Sequence, residues 1–189
     1  MSTGYQIKDQ SMPYYLTFQV VFWVDIFTRT VYRDVIIDSL KYCQKEKGLE
    51  IFAYVIMSNH IHFIVRSSTN DLSGTLRDFK KYSSKKIIET IIDNSAESRK
   101  EWMLRLFQHA AKRQNKKGDY QLWTHENHAI ELSSNNFIET KVRYIHDNPV
   151  KAGIVNNPED YRYSSAISYT DGIGLLDVIP VSFSVKTLR

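Results

Sequence analysis

The order of elements predicts a ferredoxin-like α+β fold, an antiparallel sheet with helices packed on one face. Two observations carry it. Apolar residues switch between alternation and helical spacing along the chain, giving strand, helix, strand, strand, helix, then a further strand and helix. Turn and cap residues stand at the switches: Gly48, Ser58 and Asn59, then Ser133 and Ser134.

Taken in order, residues 14 to 27 (YYLTFQVVFWVDIF) are aromatic and β-branched and predict a strand with a buried face. Residues 29 to 47 place Val31, Val35, Ile36, Leu40 and Cys43 at helical spacing, with Gly48 as a stop. Residues 49 to 57 and 60 to 66 predict two strands joined through Ser58 and Asn59 as a hairpin. Leu72, Leu76, Phe79, Ile87 and Ile91 mark an amphipathic helix to about Asp93. Residues 97 to 113 predict another helix, with Trp102, Leu106 and Phe107 available for packing. A turn follows at residues 115 to 119, then strand-like pieces in YQLW and HAIEL. Ser133 or Ser134 caps a helix carrying Phe137, Ile138, Val142 and Ile145. It is expected to stop near Asn148, because the residue before Pro149 is disfavoured in the α region. From Asn156 onward the sequence predicts a loop-rich tail.

The 189 residues suit one domain, with a core over about 14–155 and a tail over about 156–189. A net charge of +4 permits nucleic acid binding without requiring it. Cys43 is the only cysteine, so neither a disulfide framework nor a cysteine zinc site is available within the chain. No signal-peptide pattern opens the sequence, and no apolar run reaches the roughly 18 residues of a membrane span. The expectation is a cytoplasmic protein with no membrane partner.

His60 and His62 flank Ile61, so on a strand both imidazoles take one face while Ile61, Phe63 and Val65 take the other. That pair can begin a divalent metal site, or it can be two polar residues on an exposed face. Tyr144 and Asn148 are one helical turn apart. They offer a phenol nucleophile beside an amide oxygen ligand, or the aromatic end of an amphipathic helix with its cap. His146 points elsewhere on that helix and reads as structural.

Several segments, in order, resemble one family. YVIMSNHIHFIV is similar to the histidine strand pair of the single-tyrosine HUH transposases, the insertion-sequence transposase superfamily. YIHDNPVKAGIV resembles the tyrosine helix of its branch called REP-associated tyrosine transposases. LRDFKKYSSKKI, LWTHENHAIEL and DYRYSS resemble further segments of that branch. The resemblance implies an HUH endonuclease fold and a metal-dependent transposase, in which His60, His62 and Asn148 hold Mg²⁺ or Mn²⁺ and Tyr144 is the catalytic nucleophile. Insertion-sequence relatives often carry Gln in place of the Asn. It also implies cleavage and rejoining of single-stranded DNA beside a hairpin, through a 5′-phosphotyrosine, by single chains or by a homodimer. In a bacterial cell the protein would be associated with the nucleoid when acting on DNA.

Arg77, Lys80, Lys81, Lys85 and Lys86 cluster on one predicted helix, as a phosphate-tracking stripe or as a solvated face. Lys112, Arg113, Lys116 and Lys117 form a second cluster. Trp123 and His128 are candidates to touch an extruded base, Trp123 being equally a core candidate, and Lys151 is grouped with the DNA-contacting residues. The rival readings are a recruited DNA-binding protein without strand transfer, a metal nuclease using water, and a purely structural protein. No carboxylate constellation of the water-using transposase type stands out.

Overall fold

The computed structural model describes residues 6–114, 118–170 and 172–182. Its sheet is antiparallel in the order β2-β3-β1-β4, the ferredoxin-like arrangement. The strands are β1 (Tyr14–Gln19), β2 (Leu49–Ile56), β3 (His60–Ser67) and the short β4 (Ile130–Glu131). The helices are α1 (Thr30–Lys47), α2 (Leu72–Asp93), α3 (Lys100–Arg113) and α4 (Asn135–Lys151). Helices α1 and α2 cover one face, as expected. There Phe18 and Phe63 meet edge to face at 4.8 Å, and Phe79 of α2 lies 5.8 Å from Phe18. Helix α4 lies across the opposite face, the one that carries His60 and His62.

Strand β1 is shorter than its composition predicts. Phe22 and Trp23 take left-handed φ values of 55° and 57°, and the chain folds into 3₁₀ turns at Val21–Trp23 and Ile26–Thr28. Val20, Val21, Val24, Ile26 and Phe27 are still buried. Their apolar character signals burial rather than extension. Val31, placed by its spacing on the apolar face of α1, is exposed, as is Trp102 of α3. Of the predicted turn at 115 to 119, residues 115–117 lie outside the described residues, as do Lys116 and Lys117 of the second basic cluster.

Ser134 caps α4, its hydroxyl accepting from the Phe137 amide. The helix does not stop at Asn148. It runs through Pro149 to Lys151, and Pro149 itself is buried. Its true stop is Gly153, at φ 69°, where Ile154 N–H bonds the Pro149 carbonyl and Gly153 N–H bonds the Val150 carbonyl. Packing of the proline against the body offsets the lost backbone donor.

The described part of the tail is loop-rich, as expected, with 3₁₀ turns at Pro158–Asp160 and Ala166–Tyr169, but it is packed onto the body. Tyr161, Tyr163 and Leu176 join the core formed by the rest of the chain. The tail runs along the outer edge of β2: Ser164 bridges Val55, Ile56 N–H bonds the Tyr163 carbonyl, and Ile179 N–H bonds the Ile51 carbonyl. An exposed sheet edge is thereby covered. The same tail grips α4. His146 Nε2 lies 2.8 Å from Ser165 Oγ, and that hydroxyl also accepts from the Tyr54 amide at 2.9 Å.

His146 is 8% exposed. Burial pushes its imidazole down to about 4, partly opposed by Asp147, from an ordinary value of 6.5. A histidine depressed on folding contributes full stability above its unfolded value. That contribution is lost as pH falls toward the folded value. Between pH 6.5 and 4 the protein should therefore lose on the order of 2–3 kcal/mol through His146. Urea unfolding from pH 7 to pH 4.5 checks this, and a His146→Gln variant should show a clearly shallower decline.

Candidate active site

Alternation along β3 puts His60 and His62 on the face beneath α4, with ring centroids 4.7 Å apart. Neighbouring side chains hold both rings by Nδ1. His60 Nδ1 lies 2.7 Å from Asn59 Oδ1. The Asn59 amide nitrogen donates to the Trp23 carbonyl at 3.2 Å, which fixes the amide's orientation. An amide oxygen only accepts, so His60 carries its proton on Nδ1 and presents an Nε2 lone pair. His62 Nδ1 lies 2.9 Å from both Tyr15 Oη and Thr17 Oγ1. Either hydroxyl oxygen can accept an Nδ1 proton, which leaves His62 Nε2 free as well.

Both rings are neutral at physiological pH. Burial lowers His60. Burial pushes His62, 6% exposed, down to about 3, with His60 and the Lys141 ammonium adding to the effect. Neutral imidazoles with free Nε2 atoms are competent metal ligands without first releasing a proton.

Tyr144 projects from α4 over the same spot. Its ring lies 5.5 Å from His62 and 6.2 Å from Tyr15, and it stays 42% exposed. Burial pushes the Tyr15 phenol up to about 12, so Tyr15 remains a hydroxyl that holds His62. The ammoniums of Lys141 and Lys151 each lie 5.8 Å from the Tyr144 ring, and Lys141 also sits 4.5 Å over Tyr15. Asn148 donates its amide N–H to the Tyr144 carbonyl at 2.7 Å, which leaves Oδ1 as its acceptor atom. Among the described residues no group of three or more His, Cys, Asp or Glu can hold a metal. The available donors are therefore two imidazoles and amide or hydroxyl oxygens.

The structure thus brings His60, His62, Tyr144 and Lys151 together, with Asn148 one turn along the helix. The basic residues of α2 lie behind the sheet. Arg77, Lys81 and Lys85 line a groove of about 690 Å³ between α2 and the segment 119–129. Lys80 is committed to structure, donating to the Thr124 carbonyl at 2.8 Å and to Asn127 Oδ1 at 2.7 Å. Lys86 is exposed and lies 4.0 Å from Glu89, off the groove lining. His128 is exposed at φ 44° in the segment before β4. Trp123 is a correction to its place among DNA-contacting residues. It is 4% exposed, packed against Phe18, Phe27 and Phe79, and its indole N–H donates to Ser83 Oγ at 3.1 Å. At that exposure it borders the groove between α2 and residues 119–129 without offering a stacking platform.

Tyr15, Thr17, Asn59 and Lys141 were not legible as site residues in the sequence. Tyr15 and Thr17 follow from strand register, since Thr17 pairs with His62. Lys141 lies three positions before Tyr144, and helical spacing alone could have found it.

Residues 11–148 match the protein family described as Transposase IS200 like. The chain belongs to the IS200-like transposase family. Its fold is that of a solved REP-associated tyrosine transposase bound to a REP hairpin, at 17% identity and a TM-score of 0.58, covering 100% of this chain and 98% of that one. A putative transposase from Deinococcus radiodurans is similar at 16% identity and a TM-score of 0.43, over 78% of this chain and 97% of that one. No curated protein matches the chain. No helix among the described residues of this IS200-like transposase is long and apolar enough to cross a membrane.

The Asn59 arrangement is testable without any ligand. Long-range proton–nitrogen NMR spectra of the metal-free protein should show His60 protonated on Nδ1. In Asn59→Leu the ring should shift mostly to the Nε2–H tautomer that free imidazole side chains favour. A His60 already Nε2–H in the wild type would remove Asn59 from its positioning role.

Proposed function

We propose that this transposase cleaves and rejoins single-stranded DNA beside a hairpin, using Tyr144 as the nucleophile and a divalent metal held by His60, His62 and Asn148. The observation that carries the reading is Tyr144 on its own chain's histidine pair, 5.5 Å from His62, with both imidazoles held through Nδ1. Two neutral nitrogen ligands and one amide oxygen leave coordination positions for water and phosphate. Mixed nitrogen and oxygen donors with open positions suit six-coordinate Mn²⁺ better than Mg²⁺, which would bind largely through water and phosphate oxygens. When bound, the metal would polarise a phosphate oxygen and spread its charge in the transition state.

The chain's own residues do the rest. Tyr144 Oη attacks phosphorus and gives up its phenol proton to solvent, the bond to the departing 3′ oxygen breaks and that oxygen takes up a proton, leaving a 5′-phosphotyrosine and a free 3′-hydroxyl. The link keeps the energy of the phosphodiester, so attack by another 3′-hydroxyl can rejoin strands without a nucleotide cofactor. Lys141 and Lys151 flank Tyr144 and would attract the phosphate backbone to it. Because α4 and the histidine pair belong to one chain, a homodimer is not needed to assemble the site.

The groove behind the sheet, with Arg77, Lys81 and Lys85, suits the hairpin stem. A single strand leaving it would pass the segment holding His125 and His128 at the β1 side of the sheet to reach Tyr144. The hairpin bound by the solved relative supports that partner. The reaction would take place at nucleoid DNA in the cytoplasm.

End-labelled hairpin oligonucleotides from the DNA flanking the gene, mixed with protein and Mn²⁺, test the reading on a denaturing gel. A covalent adduct is expected, absent in Tyr144→Phe and reduced at least roughly 100-fold by chelation or by His60→Ala. Binding without adduct points to a DNA-binding protein that has lost strand transfer. Cleavage surviving in Tyr144→Phe points to a nuclease using water. Separately, Lys81→Ala and Lys85→Ala should each lower the slope of log affinity against log salt by about 1.

A further inference from the structure

Gln19 ends β1 directly opposite His60. The backbone shows how close that pairing is. Thr17 N–H donates away from β3 to the Asn127 carbonyl, and the Gln19 carbonyl accepts from Thr124, also away from β3. Thr17/His62 and Gln19/His60 are therefore the pairs whose backbones do not bond each other, the kind whose side chains stand closest. Thr17 uses that closeness to hold His62. The Gln19 amide nitrogen is not so used: Nε2 is buried and has no hydrogen-bond partner among the described residues. A buried amide donor left unpaired is costly and unusual, and a turn of the Gln19 side chain toward His60 would bring it to a partner at the histidine face.

We propose that Gln19 is a substrate-contacting residue, donating its amide N–H to a non-bridging oxygen of the phosphodiester held at His60 and His62. This rests on the strand-transfer reading and adds a residue to it. A donor nitrogen beside two metal-binding imidazoles repels a cation and attracts an anionic oxygen, so it suits phosphate rather than the metal. The position also fits the route of the strand. Gln19 is bonded through Thr124 to the segment that lines the basic groove, and Lys80 of α2 donates to the Thr124 carbonyl. Gln19 thus stands between that groove and His60.

The full-length protein carrying Gln19→Met, of nearly equal size without the donor, provides the test, with Gln19→Ala as a second variant. Three quantities are read: Tm, Mn²⁺ affinity from the electron paramagnetic resonance of free Mn²⁺, and the single-turnover rate of the Tyr144 adduct. The expected result is a Tm at or above wild type, an Mn²⁺ Kd within about twofold of wild type, and an adduct rate lowered about 10- to 100-fold. An unchanged adduct rate overturns the proposal. So does a loss of Mn²⁺ affinity like that of His60→Ala, which would put the amide oxygen on the metal. A Tm well below wild type in both variants assigns Gln19 to packing and also overturns it. In each of these cases a Tyr144-dependent adduct in the wild type leaves the strand-transfer reading standing, whereas absence of that adduct with every flanking hairpin removes both.

Discussion

Strand β3 runs between β2 and β1, so its side chains must take one face of the sheet or the other. Ile61, Phe63 and Val65 go into the core against α1 and α2, and all three are buried. That commitment forces His60 and His62 together on the opposite face. A register slip of one residue would place the imidazoles in the core and Phe63 under α4. The apolar core therefore specifies the polar site. The same pairing chooses the neighbours of each histidine, Thr17 for His62 and Gln19 for His60.

This explains which parts were legible in the sequence. Period two puts the histidine pair on one face and helical spacing puts Tyr144 with Asn148 on another, but spacing left each open to a bland reading, and the resemblance of the segments around them singled them out. The element order was enough for the sheet, because short connections and antiparallel pairing leave few alternatives. What was hidden depends on contacts between segments far apart in the chain. Tyr15 lies 47 positions from His62, and only strand register joins them. Asn59 reads as a turn residue until the Trp23 carbonyl fixes its amide. Trp123 shows the opposite failure: its type suits a base platform, but the sequence could not reveal that its indole N–H is already spent on Ser83. Residues 20–27 failed for a related reason, since apolar composition reports burial and the left-handed Phe22 and Trp23 break the strand.

The position of Tyr144 depends on a clamp at the back of α4. His146 is two residues from Tyr144 and so faces away from it, toward β2. There it meets Ser165, which also bonds the Tyr54 backbone. The tail closes the sheet edge and fixes the helix with one set of bonds. Running α4 through Pro149 serves the same end. Had the helix broken at Asn148, that amide would not be held one turn beyond Tyr144, and Lys151 would not flank the tyrosine. A fixed helix on a fixed sheet suits the proposed covalent chemistry, because misplacement by about 1 Å can cost about 100-fold in rate.

Positive charge is divided between the two layers. Lys141 and Lys151 serve the tyrosine side, while Arg77, Lys81 and Lys85 serve the groove behind the sheet. Charges on opposite faces of a sheet cannot contact the same phosphate. They can contact one DNA molecule only if it passes around an edge. The β2 edge is covered by the tail, so on the proposed reading a strand reaching both groups would pass the β1 side. There β4 is only Ile130–Glu131, and the adjoining segment is pinned by Lys80. Half-buried Lys80, between Phe18 and that segment, is thus a structural residue of this edge. Its ammonium is spent on Thr124 and Asn127, and what it supplies is a fixed edge, the one a single strand would have to round if the proposed route is followed.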